Sequence, residues 1–141
     1  MSVFGLDGDV AASARNALAA AAELWRSIVR LSSDLAEDLG GALKVGIGVH
    51  SGLSVVGRVG LPGQTSIQFL GDTGNIASRL EGLTKKTACT MIVSATTLQA
   101  GGVATPGWRT ANLEIRGLNE PIPSFLIFDR DELLRARLTT D

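Results

Sequence analysis

The run GDTGNIASRLE (71–81) is the densest group of side chains able to do chemistry. A strand expected from Thr65 to Leu70 enters a glycine turn and then a helical pattern. Asn75 and Arg79 are four apart, so a helix projects both over one surface patch. The asparagine amide offers a neutral donor and acceptor. The arginine adds a permanent charge with forked donors that suit a phosphate. The unpaired N–H groups at the helix start also favour an anion. The same residues fit a plainer reading, in which Asp72 or Thr73 caps the helix and Arg79 pairs with an acid on the surface. Spacing alone leaves both open.

Other candidates are weaker. His50 is the single histidine and precedes Ser51-Gly52 at a strand end. Adjacent strand residues point to opposite faces, which argues against a Ser–His nucleophile. Asp7 and Asp9 could be imagined as paired metal carboxylates, but with no further acids nearby Asp9 reads as a helix cap. Arg116 precedes Gly117 at a strand end, where it could be aimed into a cleft or lie on the surface. Lys85 and Lys86 read as solvated cations closing a helix, and Cys89 as a buried strand residue.

The elements that must hold these residues follow from periodicity. Val10 to about Leu39 reads as a helix capped by Asp9 and stopped by Gly40-Gly41. Its apolar face is Leu18, Ala21, Trp25, Ile28, Leu31, Leu35 and Leu39. Leu43, Val45, Ile47 and Val49 then alternate with Lys44, Gly46, Gly48 and His50, as in a strand with one face in a core. Strands are expected at Leu53–Val59 and Thr65–Leu70, around a loop at 61–64, and a helix from Thr73 to Leu83. Ile76, Leu80 and Leu83 are its buried stripe. Further strands are expected at Cys89–Val93, Trp108–Arg116 and Ile122–Phe128. A short helix capped by Ser94 ends at Gly101-Gly102, and a charged one runs from Asp131 to Leu138. The sum is an α+β domain with one sheet and helices mainly on one of its faces.

Composition removes several function classes. The 141 residues fit one domain, and 45% hydrophobic against 19% charged residues is globular composition. A net charge of −1 leaves no excess to neutralise a nucleic-acid backbone. One cysteine and one histidine exclude an intramolecular disulfide and a Cys- or His-rich zinc site, and suggest a cytoplasmic setting. No apolar run reaches the ~18 residues needed to span a bilayer, and the N-terminus lacks a basic signal-peptide region.

Four ordered motifs, GIGVHSG (46–52), VVGRVG (55–60), FLGDTGNIASRLEGLT (69–84) and EIRGLNEPIPSFLI (114–127), resemble the class III adenylate and guanylate cyclase catalytic domains. The likeness runs over essentially the whole chain. VFGL (3–6) and the alanine-rich helix also match the family's third strand and next helix. The resemblance implies a ferredoxin-like-derived fold with a mixed, mostly antiparallel sheet. It implies conversion of a nucleoside triphosphate to a 3′,5′-cyclic nucleotide and pyrophosphate, with two divalent ions, Mg or Mn. The site would lie between two domains packed head to tail, in a homodimer or with another cyclase domain. Asn75 then resembles the asparagine that orients the ribose. Arg79 resembles the arginine that stabilises charge on the α-phosphate. Arg116 stands where the family has a lysine contacting the terminal phosphates. Gln68, three residues before Gly71, stands where many adenylate cyclases have Asp and bacterial relatives often have Thr. Glutamine both donates and accepts, so it leaves adenine and guanine open. Gly74 replaces the usual Val.

The family's two metal aspartates would lie upstream of residue 1, so the resemblance implies that this chain holds neither and corresponds to the later part of such a domain. Gly8-Asp9 does not replace the missing hairpin, because it leads straight into the helix. A domain lacking the opening strand and helices would expose a sheet edge and invite dimerisation. Truncation, a misassigned start and natural reduction stay open. The expectation is a bacterial-type, ATP-directed cyclase homologue that is inactive by itself. The alternatives are a catalytically dead dimerisation or regulatory module, and a plain nucleotide-binding domain.

Overall fold

Helix α1 (Val10–Asp34) begins where Asp9 accepts a hydrogen bond from the Ala12 N–H at 2.9 Å. That bond satisfies one of the free donors of the first turn, as the sequence predicts. The computed structural model describes every residue except Asp7, Pro62, Gly63, Pro106, Arg130 and 133–141, together with the side chains of Leu39, Thr65 and Ile67. The expected terminal helix from Asp131 therefore lies, after its first two residues, outside the described residues.

The long helix is broken once. Leu35 turns to φ −104°, ψ 11°, and a short α2 (Ala36–Leu39) follows, ending on left-handed Gly40. Ser32 and Ser33 are weak helix formers at this point. The Ser32 hydroxyl accepts the Leu43 N–H at 2.8 Å, which turns the chain back. Only the first half of the expected apolar stripe is used. Leu18, Ala21 and Trp25 are buried, whereas Leu31 is 45% exposed. The second half of α1 projects past the core.

The strands are β1 (Ile47–Val49), β2 (Val55–Leu61), β3 (Gln64–Leu70), β4 (Met91–Ser94), β5 (Arg109–Leu113) and β6 (Ile122–Ile127). The remaining helices are α3 (Thr73–Thr87) and α4 (Ala95–Gly101). Four strands form a sheet in the order β1-β4-β6-β5. β1 and β4 are parallel, and the other two pairs antiparallel. The expected mixed, mostly antiparallel sheet is therefore present. It is not the only one. β2 and β3 pair as a separate antiparallel ribbon, Val55 opposite Leu70 through Leu61 opposite Gln64. Every residue of β2 is exposed. The helix from Thr73 runs four residues past its expected end at Leu83, and the strand expected at Trp108–Arg116 is shorter. The expected strand at Val3-Phe4-Gly5 carries no ladder pairing.

Helices cover both faces of the sheet, not mainly one. On β4, Met91 and Val93 join the cluster of Leu18, Trp25 and Leu98, contributed by α1 and α4. Ile92, between them, joins Ile76 and Leu80 of α3. Alternation along one strand thus splits the core into two layers. Gly46 and Gly48 explain what the sequence reading missed. A Cβ on Gly48 would collide with the Ala77 carbonyl and the Glu81 backbone, and one on Gly46 with Thr84 and Glu81. The face of β1 that lacks side chains is the seat of α3. Burying a side chain such as Leu18, Leu80 or Ile127 removes apolar surface worth about 1.5–3 kcal/mol each.

Candidate functional site

β3 hands the chain to α3 through Gly71, whose φ of +132° suits glycine. A Cβ there would also stand 3.2 Å from the Leu53 carbonyl. Asp72 occupies the N-cap position, but its side chain makes no capping bond; its carbonyl accepts the Ile76 N–H at 2.8 Å. The expected Asp72 side-chain cap is therefore absent. With ψ at −12° the residue is already helical, and a side-chain cap favours an extended residue. Ser94 precedes α4 in the extended conformation that a cap favours, yet the expected cap is absent there too, because its hydroxyl turns to other side chains.

Ile76 and Leu80 anchor α3 in the core and leave Asn75 and Arg79 exposed on the face above. The Arg79 Nη1 donates to the backbone carbonyl of Arg116. The surface reading of Arg79 is half right: it is exposed, but it pairs with a carbonyl, and among the described residues no carboxylate bridges it or Arg116. Arg116 lies in a turn just after β5, beside Gly117 at φ +89°. A cavity of about 410 Å³ opens there, lined by residues 114–121. The fold thus brings Arg79 and the Arg116 turn together, with Asn75 one helical turn away.

Gln68 is carried by the ribbon. It lies opposite Gly57, is exposed, and donates from Nε2 to the Ser66 hydroxyl at 3.3 Å. No hydrogen bond among the described residues joins it to α3 or to the Arg116 turn. Cys89 is buried, and Lys85 and Lys86 lie in the last turn of α3.

His50 is more engaged than the sequence shows. Its Nδ1 lies 2.9 Å from the buried Ser94 Oγ, 44 residues away. Burial holds its pKa below the ordinary 6.5 by desolvating the charged ring. No local signal could reveal this, because the partner comes from another strand.

Among the described residues no three His, Cys, Asp or Glu side chains converge to hold one. Asp9 spends its carboxylate on the α1 cap, and Asp7 lies outside the described residues.

Comparison with known proteins bears on the family and the fold. The sequence profile described as "Adenylate and Guanylate cyclase catalytic domain" matches residues 1–120. An adenylate cyclase of Anabaena cylindrica is 42% identical over 52 residues, covering 37% of this chain and 10% of that protein. The terminal-differentiation-specific adenylate cyclase of Dictyostelium discoideum is 25% identical over 132 residues, 92% of this chain and 6% of its own length. The crystal structure of the guanylyl cyclase Cya2 superposes with a TM-score of 0.64 at 27% identity, over 82% of this chain and 57% of that one. The chain therefore spans a small part of these curated relatives. Domains of this family act on nucleoside triphosphates, typically dimerise and generally use divalent metals. Among the described residues no helix is long and apolar enough to cross a membrane. The profile match over most of the sequence, together with the shared α+β fold, makes this chain a member of the adenylate and guanylate cyclase catalytic domain family.

Proposed function

We propose that this chain supplies the asparagine–arginine side of a nucleotidyl cyclase site, which turns a nucleoside triphosphate, ATP before GTP, into a 3′,5′-cyclic nucleotide and pyrophosphate. The observation that carries this reading is the exposed Asn75/Arg79 face of α3, joined through Arg79 to the Arg116 turn, within a family match over residues 1–120. Asn75 orients the ribose. Arg79 meets negative charge as it builds on the α-phosphate. A fixed cation aimed at developing charge contributes most in the transition state. Arg116 contacts the terminal phosphates, and Gln68 reads the base from the ribbon. Arginine in place of lysine keeps the charge but adds a planar fork.

Alone, the chain turns over negligibly. The complementary aspartates come from a partner cyclase domain, the working unit being a dimer in the cytoplasm. The test mixes the chain with a cyclase domain that has intact metal aspartates and a disabled asparagine–arginine pair, then measures cyclic nucleotide with Mg²⁺ or Mn²⁺. Activity that appears only in the mixture, and vanishes with Arg79→Ala, supports the reading. A mixture that never turns over, or turnover indifferent to Arg79, overturns it. The exposed β2–β3 ribbon favours a second reading: a dimerisation module without turnover. It predicts partner binding that tolerates Arg79→Ala, with no binding of triphosphate.

A further inference from the structure

The segment between β1 and the ribbon, residues 50–54, carries no ladder bonds, yet side chains from two helices hold two of its carbonyls. Thr96, in the first turn of α4, donates to the Ser51 carbonyl at 3.0 Å. Thr73, the first residue of α3, donates to the Leu53 carbonyl at 3.1 Å. Behind Thr96 sits the fully buried Ser94. Its Oγ lies 2.9 Å from Thr96 Oγ1, 3.1 Å from Thr97 Oγ1 and 2.9 Å from His50 Nδ1.

Counting protons gives this cluster a direction. Each hydroxyl has one proton to donate, whereas a carbonyl only accepts. Thr96 gives its proton to Ser51, so it must accept from Ser94. Ser94 has then spent its own proton, so it accepts from Thr97 and from His50. His50 therefore carries its proton on Nδ1, and its bare nitrogen is Nε2. That nitrogen borders Gly52, where a Cβ would stand 3.4 Å from Nε2 and 2.8 Å from Thr73 Oγ1. The count fixes the Nδ1 proton; burial, which lowers the pKa of His50, keeps the ring neutral and so leaves Nε2 bare.

We propose that Thr96 and Thr73 are positioning residues for the β2–β3 ribbon, and that the one-way chain from His50 Nδ1–H through Ser94 and Thr96 to the Ser51 carbonyl ties the ribbon's stem to the starts of α4 and α3. Among the described residues no ladder bond joins the ribbon to the four-stranded sheet. Its departure angle is thus set at this stem, and with it the place of Gln68. The consequence for Gln68 rests on the functional reading above; the clamp itself does not.

Because His50 is the sole histidine, ¹⁵N labelling of the full chain gives one imidazole to read. At mildly alkaline pH the wild-type ring should show a protonated Nδ1 and a bare Nε2. Thr96→Val removes the acceptor for the Ser94 proton. With Thr97→Val added, which removes the Oγ1 acceptor 3.1 Å away, that proton turns to Nδ1 and the ring switches to the Nε2–H tautomer. Thr96→Ser keeps the wild-type tautomer. Amide exchange over 55–61 and 64–70 should quicken roughly two- to tenfold in Thr96→Val and in Thr73→Val, but not in Thr96→Ser. A wild-type Nε2–H ring overturns the proposal even if no variant folds. So does a folded Thr96→Val/Thr97→Val double variant whose tautomer and ribbon exchange are both unchanged. None of these readouts needs turnover. A clamp found intact in a mixture without cyclase activity would remove the functional reading alone. Turnover with an Nε2–H ring would remove the clamp alone.

Discussion

Arg79 donates from Nη1 to the main-chain carbonyl of Arg116, 37 residues further along the chain. This bond couples the exposed face of α3 to the turn after β5, two places that share no sequence neighbourhood. It holds the guanidinium by one donor and leaves the rest of the fork open to solvent or ligand. A backbone acceptor cannot be lost by changing the Arg116 side chain, so the arginine's aim depends on the shape of the turn.

That shape can be tested at Gly117. Its φ of +89° is costly for any other residue, and a Cβ would stand 3.4 Å from Arg79 Nη1. Gly117→Ala should cost about 1–2 kcal/mol in urea unfolding. In the two-domain mixture it should also lower kcat more than it raises KM.

Replacing the arginine itself separates rate from stability. Arg79→Ala should reduce cyclic-nucleotide formation in the mixture by about 10²–10³-fold. Because Arg79 is exposed, its unfolding free energy should move by no more than about 0.5 kcal/mol. Thermal melts run beside the activity assay check both numbers.

The two halves of α1 should respond differently to the same change. Leu18 is 0% exposed, so Leu18→Ala should destabilise by about 2–5 kcal/mol. Leu31→Ala, on the nominal continuation of the same stripe, should fall within about 0.5 kcal/mol of the parent. Equal losses at both sites would mean that a further surface covers the second half in solution.

Gly48→Ala tests the close approach of α3 to β1. The added methyl meets the Ala77 carbonyl and the Glu81 backbone, neither of which can rotate away. Overpacking of this kind should cost about 1–3 kcal/mol, read from the denaturant midpoint at unchanged slope.

His50 should make stability depend on pH. Its folded-state pKa lies below the unfolded value of 6.5, so between the two the unfolded chain binds more protons. Stability then rises with pH across that window. The contribution is complete above about 6.5 and is lost as pH falls through the folded pKa. Urea midpoints at successive pH values should show this slope in the parent and a shallower one in His50→Gln.

Local chemistry and period determined much of this protein. Asp9 as a cap, the order of helices and strands, and the shared face of Asn75 and Arg79 all follow from interactions within four residues, which a linear pattern records. The ordered motifs likewise carried the family, since glycine turns and polar spacings survive in one dimension. Tertiary structure decided the rest. Whether Leu31 is covered depends on how far the sheet reaches beneath α1. Whether Gly46 and Gly48 face solvent or a helix depends on where α3 docks, and absent side chains give no hydropathy signal. The separation of β2–β3 into its own ribbon, the Arg79–Arg116 bond and the His50–Ser94 contact all join residues remote in sequence. Their geometry exists only once two packed layers fix the distances, because alternation specifies the face of a strand and not its neighbour.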